Sequence, residues 1–199
     1  PGTDGGHDNK DKVFSFDVEK EEWQDEGVRV EGVLPASFFD AKRERIVFAQ
    51  GKGVGYMEDN TVTGLVVFYP KSKKAEPLPS KNGQPQGIGC GNDAWCHHSK
   101  SDLYFGWSGR GDSDANWVYD PNNGTWRQFL PEKNIPVKEQ KHSKIEYDSK
   151  NDLLVVCRQQ KDTAGNTSQQ WYGLRFDPAT AKFAEPGNVA GQPGKESSK

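Results

Sequence analysis

Apolar and polar positions along this chain fall into short blocks. VFSFDVEKEEW (13–23), LVVFYPKSKKAEP (65–77), NWVYDPNNGTWRQF (116–129) and YGLRFDPATAKFAEP (172–186) share one outline. Each begins with a short apolar run that ends in an aromatic and stops at a turn. The turn opens with Asp-Pro at 120 and 177, Asp-Val at 17 and Tyr-Pro at 69. An aromatic returns six residues later, as Trp23, Trp126 and Phe183, with Ala75 in the second copy. No window of about 12 residues carries a 3.6-residue apolar stripe, so the pattern predicts strands and turns and no helix.

A second element alternates with the first. ASFFDAKRERIVFAQ (36–50), AWCHHSKSDLYFGW (94–107) and KIEYDSKNDLLVVCR (144–158) align without gaps on Asp40, His98 and Asp148. Each reads as a strand, a polar turn and a more apolar strand. The turn residues Asp17, Tyr69, Asp120 and Asp177 lie 52, 51 and 57 positions apart. One unit is therefore strand a, a polar hairpin, strand b, a longer Gly-rich loop, strand c, an aromatic-Asp-Pro turn and strand d. Four antiparallel strands per repeat of this length describe a blade of a β-propeller. At the turns, Asp120 bonds its own backbone, Pro121 fixes φ and Gly124 takes a left-handed conformation.

The repeated Tyr-Asp-Pro…Trp outline and the a–b hairpins resemble kelch repeats, as in bacterial kelch-like propellers and, more distantly, the central propeller of galactose oxidase. The resemblance covers residues 1–186 and implies an all-β fold of kelch-like four-stranded antiparallel blades. The expected division is a partial first blade at 7–29, blades at 33–80, 86–131 and 140–186, and a flexible tail or linker at 187–199. No a–b hairpin for the first blade follows the last one. The expectation is therefore an incomplete arc of three to four blades, the remaining blades coming from a longer chain. A self-contained four-bladed ring is the alternative.

Composition narrows the partners. The net charge of −3 and the pI near 5.9 argue against a nucleic-acid surface. No run of 18 apolar residues is present, so no membrane span is expected. The kelch-like reading carries the expectation of an extracellular or periplasmic protein.

In this topology the a–b and c–d turns share one face, and the longer b–c and d–a loops share the other. Those loops are AQGKGVGYMEDNTVT (49–63), GWSGRGDSDAN (106–116) and CRQQKDTAGNTSQQ (157–170). Variable loops on a rigid scaffold carry recognition. The candidate binding residues are Tyr56, Trp107, Arg110, Asp112, Asp114 and Trp171. Trp107 is a platform for a sugar ring, and Arg110 is a bidentate grip for a carboxylate. Asp112 and Asp114 accept from hydroxyls or, with Asn116, bind calcium, although the closing Glu of a calcium loop is replaced by Asn123. Arg110, Gly111 and Asp112 also spell an adhesion tripeptide.

Cys90, Cys96, His97 and His98 suggest zinc, but the spacing is not that of a finger, and neighbours on a strand point to opposite faces. His98 stands where the other units carry the turn Asp. A Cys90–Cys157 bridge and three buried thiols are both open. No nucleophile elbow, phosphate loop or metalloprotease motif occurs. No cofactor or metal is expected, and no catalytic residue is assigned. The reading is a non-catalytic segment that binds a protein or glycan on the b–c and d–a loops. The alternative is a fragment of a carbohydrate-active or oxidase propeller enzyme, with further active-site residues elsewhere.

Overall fold

The computed structural model describes residues 12–30, 36–51, 62–85, 94–107, 116–131, 143–161 and 164–184. Fourteen strands run through them, and no helix occurs among the described residues: β1 (Lys12–Asp17), β2 (Glu22–Arg29), β3 (Ala36–Asp40), β4 (Arg45–Gly51), β5 (Val62–Tyr69), β6 (Lys74–Pro77), β7 (Ala94–His98), β8 (Leu103–Trp107), β9 (Asn116–Asp120), β10 (Thr125–Leu130), β11 (Ser143–Asp148), β12 (Leu153–Lys161), β13 (Thr167–Leu174) and β14 (Lys182–Phe183). No helix there is long and apolar enough to cross a membrane.

Six hairpins share one turn. Asp17 opposes Glu22, Asp40 opposes Arg45, Tyr69 opposes Lys74, His98 opposes Leu103, Asp120 opposes Thr125 and Asp148 opposes Leu153. The residue just before each second strand is left-handed: Glu21 at φ 56°, Glu44 at 49°, Lys73 at 52°, Asp102 at 58°, Gly124 at 73° and Asp152 at 54°. In five of the six the first residue's side chain caps the turn; in the other the Tyr69 carbonyl accepts from the Lys73 amide at 2.9 Å. Asp17 accepts from the Glu19 and Lys20 amides at 3.0 and 3.1 Å, and Asp148 from those of Lys150 and Asn151 at 3.0 and 3.1 Å. His98 does the same with imidazole, its Nδ1 accepting from the Ser101 amide at 3.2 Å. Its expected turn role is thus present in the geometry.

The strands form antiparallel sheets in the orders β1-β2, β3-β4-β5-β6, β14-β10-β9-β8-β7 and β11-β12-β13. The a-b-c-d meander is complete in β3–β6 and β7–β10. Strand β7, at one edge of its sheet, lies beside β3 on one side and β11 on the other. The β7–β10 sheet is therefore covered on both faces, and every residue of β7 and β8 is buried. Strand alternation divides them. Trp95, Tyr104, Trp117, Tyr119 and Trp126 pack with Val47, Leu65 and Val67 of the sheet before. Cys96, Phe105, Trp107, Val118 and Phe129 pack with Ile145, Leu154 and Val156 of the sheet after.

One expectation is corrected. The 172–186 block was read as an outer hairpin, but its second strand does not return to β13. Beyond Leu174 the chain drops Phe176 between two sheets, with ring centroids 4.6 Å from Phe105, 5.4 Å from Phe129 and 5.6 Å from His98. β14 then pairs with β10, Phe183 opposite Phe129, under the Arg127 guanidinium at 4.0 Å. The sheet of β11, β12 and β13 accordingly has three strands. Burying Phe176 outweighs closing a two-residue strand on its own sheet.

Gly124 is fixed by more than its φ, because a Cβ there would meet Pro79 Cγ at 3.0 Å and Pro79 O at 3.2 Å. Gly124→Ala is expected to destabilise by about 2 kcal/mol, the scale of a forced backbone shift. Glu21→Gly, at an exposed left-handed position, is expected to stabilise by roughly 0.5 kcal/mol, relieving a larger left-handed penalty against glycine's chain entropy. Urea denaturation midpoints of the two variants should move in opposite directions.

Candidate functional site

The densest cluster of chemistry lies at the turn end, between the β3–β6 and β7–β10 sheets. Asp40 closes β3, Arg45 opens β4, His97 sits near the end of β7, and Asp102 is the left-handed residue before β8. Asp40 is fully buried. It accepts from Tyr104 Oη, from Arg43 Nη1 at 3.0 Å and from Arg45 Nε at 3.1 Å. Arg45 also donates to Tyr104 Oη at 2.7 Å and Tyr69 Oη at 3.2 Å. Arg43 reaches across the interface and grips Asp102 with both terminal nitrogens, at 2.8 and 2.6 Å. Lys42 joins at 2.6 Å, and the Asn122 amide donates at 3.2 Å. The His97 ring stands between the acids, Nδ1 3.5 Å from Asp40 and Nε2 3.3 Å from Asp102.

Burial pushes both carboxyls up, but their partners prevail. Tyr104, Arg43 and His97 hold Asp40 below the usual carboxylate range. Arg43, Lys42 and Asn122 hold Asp102 far below it. Burial and the Asp40 carboxylate push the Tyr104 hydroxyl well above its ordinary value.

Asp40, His97 and Asp102 offer ligand atoms within 4.8 Å of one another, the spacing of a metal centre. The donor set does not fit a cation. Two carboxylates are already met by three fixed positive charges, Lys42, Arg43 and Arg45, which take the acceptor positions a metal needs. The cluster is an ionic clamp between sheets.

A related contact joins the β7–β10 sheet to β11–β13. The His98 ring lies 4.0 Å from that of Tyr147, and Tyr147 Oη donates to Asp152 at 2.9 Å. Lys100 also pairs with Asp152. The backbone amide of Ser101 points at His98 Nδ1, so that nitrogen is an acceptor, and Nε2 sits 3.8 Å from Asp152. Burial pushes His98 below the ordinary imidazole value, and the Asp152 carboxylate offsets this only partly.

Of the predicted binding residues, only Trp107 and Trp171 belong to the described residues. Tyr56, Arg110, Asp112 and Asp114 lie outside the described residues, as does Cys90. Trp107 is 2% exposed and packs into the core rather than facing a ligand. Its strand position gave no sign of this, because β8 is buried on both faces. Trp171 is 66% exposed on β13. His97 and His98 turn to opposite faces, as expected, and do not share a zinc site. Cys96 and Cys157 are free and buried, and burial pushes the Cys96 thiol well above its usual range. Sequence reasoning missed the clamp. The signal was present in the aligned a–b turns, where an acid recurs at the left-handed position as Glu44, Asp102 and Asp152.

No family model and no curated protein matches the chain. Among solved structures it is similar to an auxiliary nutrient binding protein from Bacteroides thetaiotaomicron, with a TM-score of 0.50 and 11% identity. That match covers 82% of this chain and 36% of the other. It is also similar to the extracellular domain of a putative hybrid two-component system from the same species, with a TM-score of 0.52 and 8% identity. Here 87% of this chain and 19% of the other are covered, so the chain spans well under half the length of either. At such identities the likeness is one of fold.

The clamp predicts an acid response. Asp40 and Asp102 have depressed values in the fold, so their contribution is complete above the unfolded carboxylate value of about 4 and is lost as pH falls below it. Asp102→Asn is expected to cost about 3 kcal/mol at pH 7, because Arg43 keeps Asp40 but loses its bidentate carboxylate, and Lys42 loses its ion pair at the same interface. It should also flatten the fall in stability below pH 4 in urea titrations.

His98 gives a second window. Its folded value is lowered, so the unfolded chain binds the extra proton. Stability is fully present above about pH 6.5 and declines as pH drops through that value. His98→Asn keeps a turn-capping acceptor, and the difference between wild-type and variant stability should shrink steadily from pH 7.5 to 5.

Proposed function

We propose that the chain is a segment of a kelch-like β-propeller, non-catalytic, that presents its b–c and d–a loops to a protein or glycan. Its remaining blades belong to a longer chain. The observation that carries the blade reading is the run of inner strands, with β7 between β3 and β11, while each meander leads outward from its inner strand. Face-to-face sheets joined along their first strands are what a radial fan requires.

Recognition falls to the loop end in this reading. The turn end is occupied by short, uniform hairpins and by ion pairs that hold sheet to sheet. The sequence of the loops at the other end contains Tyr56, Arg110, Asp112 and Asp114, while the exposed Trp171 stands in mid-strand on β13, opposite Cys157. Trp171 offers an aromatic face of the kind that stacks on sugars or anchors a protein interface. The structural neighbours, a nutrient-binding protein and an extracellular domain, agree in kind with an extracellular or periplasmic binding role.

A glycan array probed with the purified chain tests this. Binding that falls at least tenfold in Trp171→Ala, with no change in melting temperature, is the expected result. The exposed position makes that variant neutral for folding. Absence of binding to every glycan removes the glycan half of the reading and leaves a protein partner.

A further inference from the structure

Successive a–b hairpins meet through one repeated contact. Lys42, Lys100 and Lys150 share a position in the aligned turns, and Glu44, Asp102 and Asp152 share another. Lys42 of one sheet binds Asp102 of the next, and Lys100 binds Asp152 of the one after. At the same interfaces the last residue of one inner strand meets the penultimate residue of the next, Asp40 against His97 and His98 against Tyr147. Each interface thus has a giving half, an Asp or His with a lysine two residues on. It also has a receiving half, a ring with a left-handed acid.

The β3–β6 sheet carries a receiving half that no described strand fills. Phe39, at the His97 and Tyr147 position, is 56% exposed. Glu44 reaches only Lys71 of its own sheet, and both side chains stand mostly in solvent. Beside it lies β1-β2, held to this sheet at its outer end by Lys73 and Glu26 at 2.9 Å. Among the described strands β1 pairs only with β2, and no described strand lies on its other edge, the kind of edge that templates pairing with a further strand.

Resting on the blade reading above, we propose that the edge of β1 and the Phe39–Glu44 face of β3 form a docking site for one antiparallel β-hairpin. The hairpin's turn carries an Asp or His followed two residues later by lysine. It adds two strands to β1-β2 and sets the lysine on Glu44. A second copy of this chain fits less well. Its free giving half, Asp148 and Lys150, belongs to a three-stranded sheet whose β13 takes the place β1 needs. Charge and strand count together select an isolated hairpin.

The test extends the full chain at its N-terminus, through a flexible Gly/Ser linker, with a second copy of residues 143–158, in reducing buffer. A melting temperature raised by about 5 °C or more over a shuffled-sequence extension is expected. Slowed amide exchange at residues 13–16 should accompany it. Lys150→Glu in the added copy should remove at least half of that gain, and combining it with Glu44→Lys in the receiving chain should restore it. No slowing at β1 overturns both the docking site and the blade reading beneath it. Slowing without any effect of the charge reversals overturns the lysine recognition alone and leaves the blade reading standing.

Discussion

A strand that has no solvent face imposes a demand on everything near it. β7 and β8 are buried along their whole length, so the hairpin that joins them enters a dry interface with its polar turn attached. A carboxylate taken into such a place without partners costs several kcal/mol. The sequence meets this demand with Arg43 and Arg45, whose guanidiniums saturate Asp40 and Asp102, and with Tyr104 and Asn122, which supply neutral donors. The apolar layers alone could slide. A bidentate Arg43–Asp102 pair fixes distance and direction, and so sets how one sheet sits on the next.

The second interface solves the same problem with less charge. His98 replaces the carboxylate, and its neutral ring both caps the turn and packs on Tyr147, Phe105 and Phe176. Desolvating a neutral imidazole is far cheaper than desolvating an anion, so no arginine is needed. The trade is a sensitivity to protonation, because the His98 ring caps the turn through an acceptor nitrogen.

The hairpins were readable from the sequence because their causes are local. An Asp, Tyr or His opens each turn, its side chain or carbonyl serves the turn itself, and the apolar runs on either side fix the register. The four-stranded meanders followed from the spacing. What escaped was decided by contacts distant along the chain. β14 pairs with β10 because Phe176 finds three rings between two sheets, which no feature of 172–186 reveals. Trp107 looks like a ligand platform when read beside its Gly-rich loop, yet a neighbouring sheet covers it. His97 reads as a zinc ligand until its two nitrogens are seen facing Asp40 and Asp102. Trp171 looks like part of a loop when read from the sequence, yet it stands in mid-strand on β13, opposite Cys157.

The two ends of the sheets differ in what they can do. At the turn end six hairpins share one register and one left-handed position, and adjacent turns are tied by Arg43, Lys42 and Lys100. Substitution there is felt by a neighbouring sheet, so little freedom is left for a ligand. At the loop end the connections differ in length and composition, from the glycines of 49–63 to the acidic run at 112–114. Chain that does not hold the scaffold together is free to carry chemistry. The ion-clamped turn end is therefore where sequence is held to a pattern from hairpin to hairpin, and the variation in sequence falls in the connections between b and c strands.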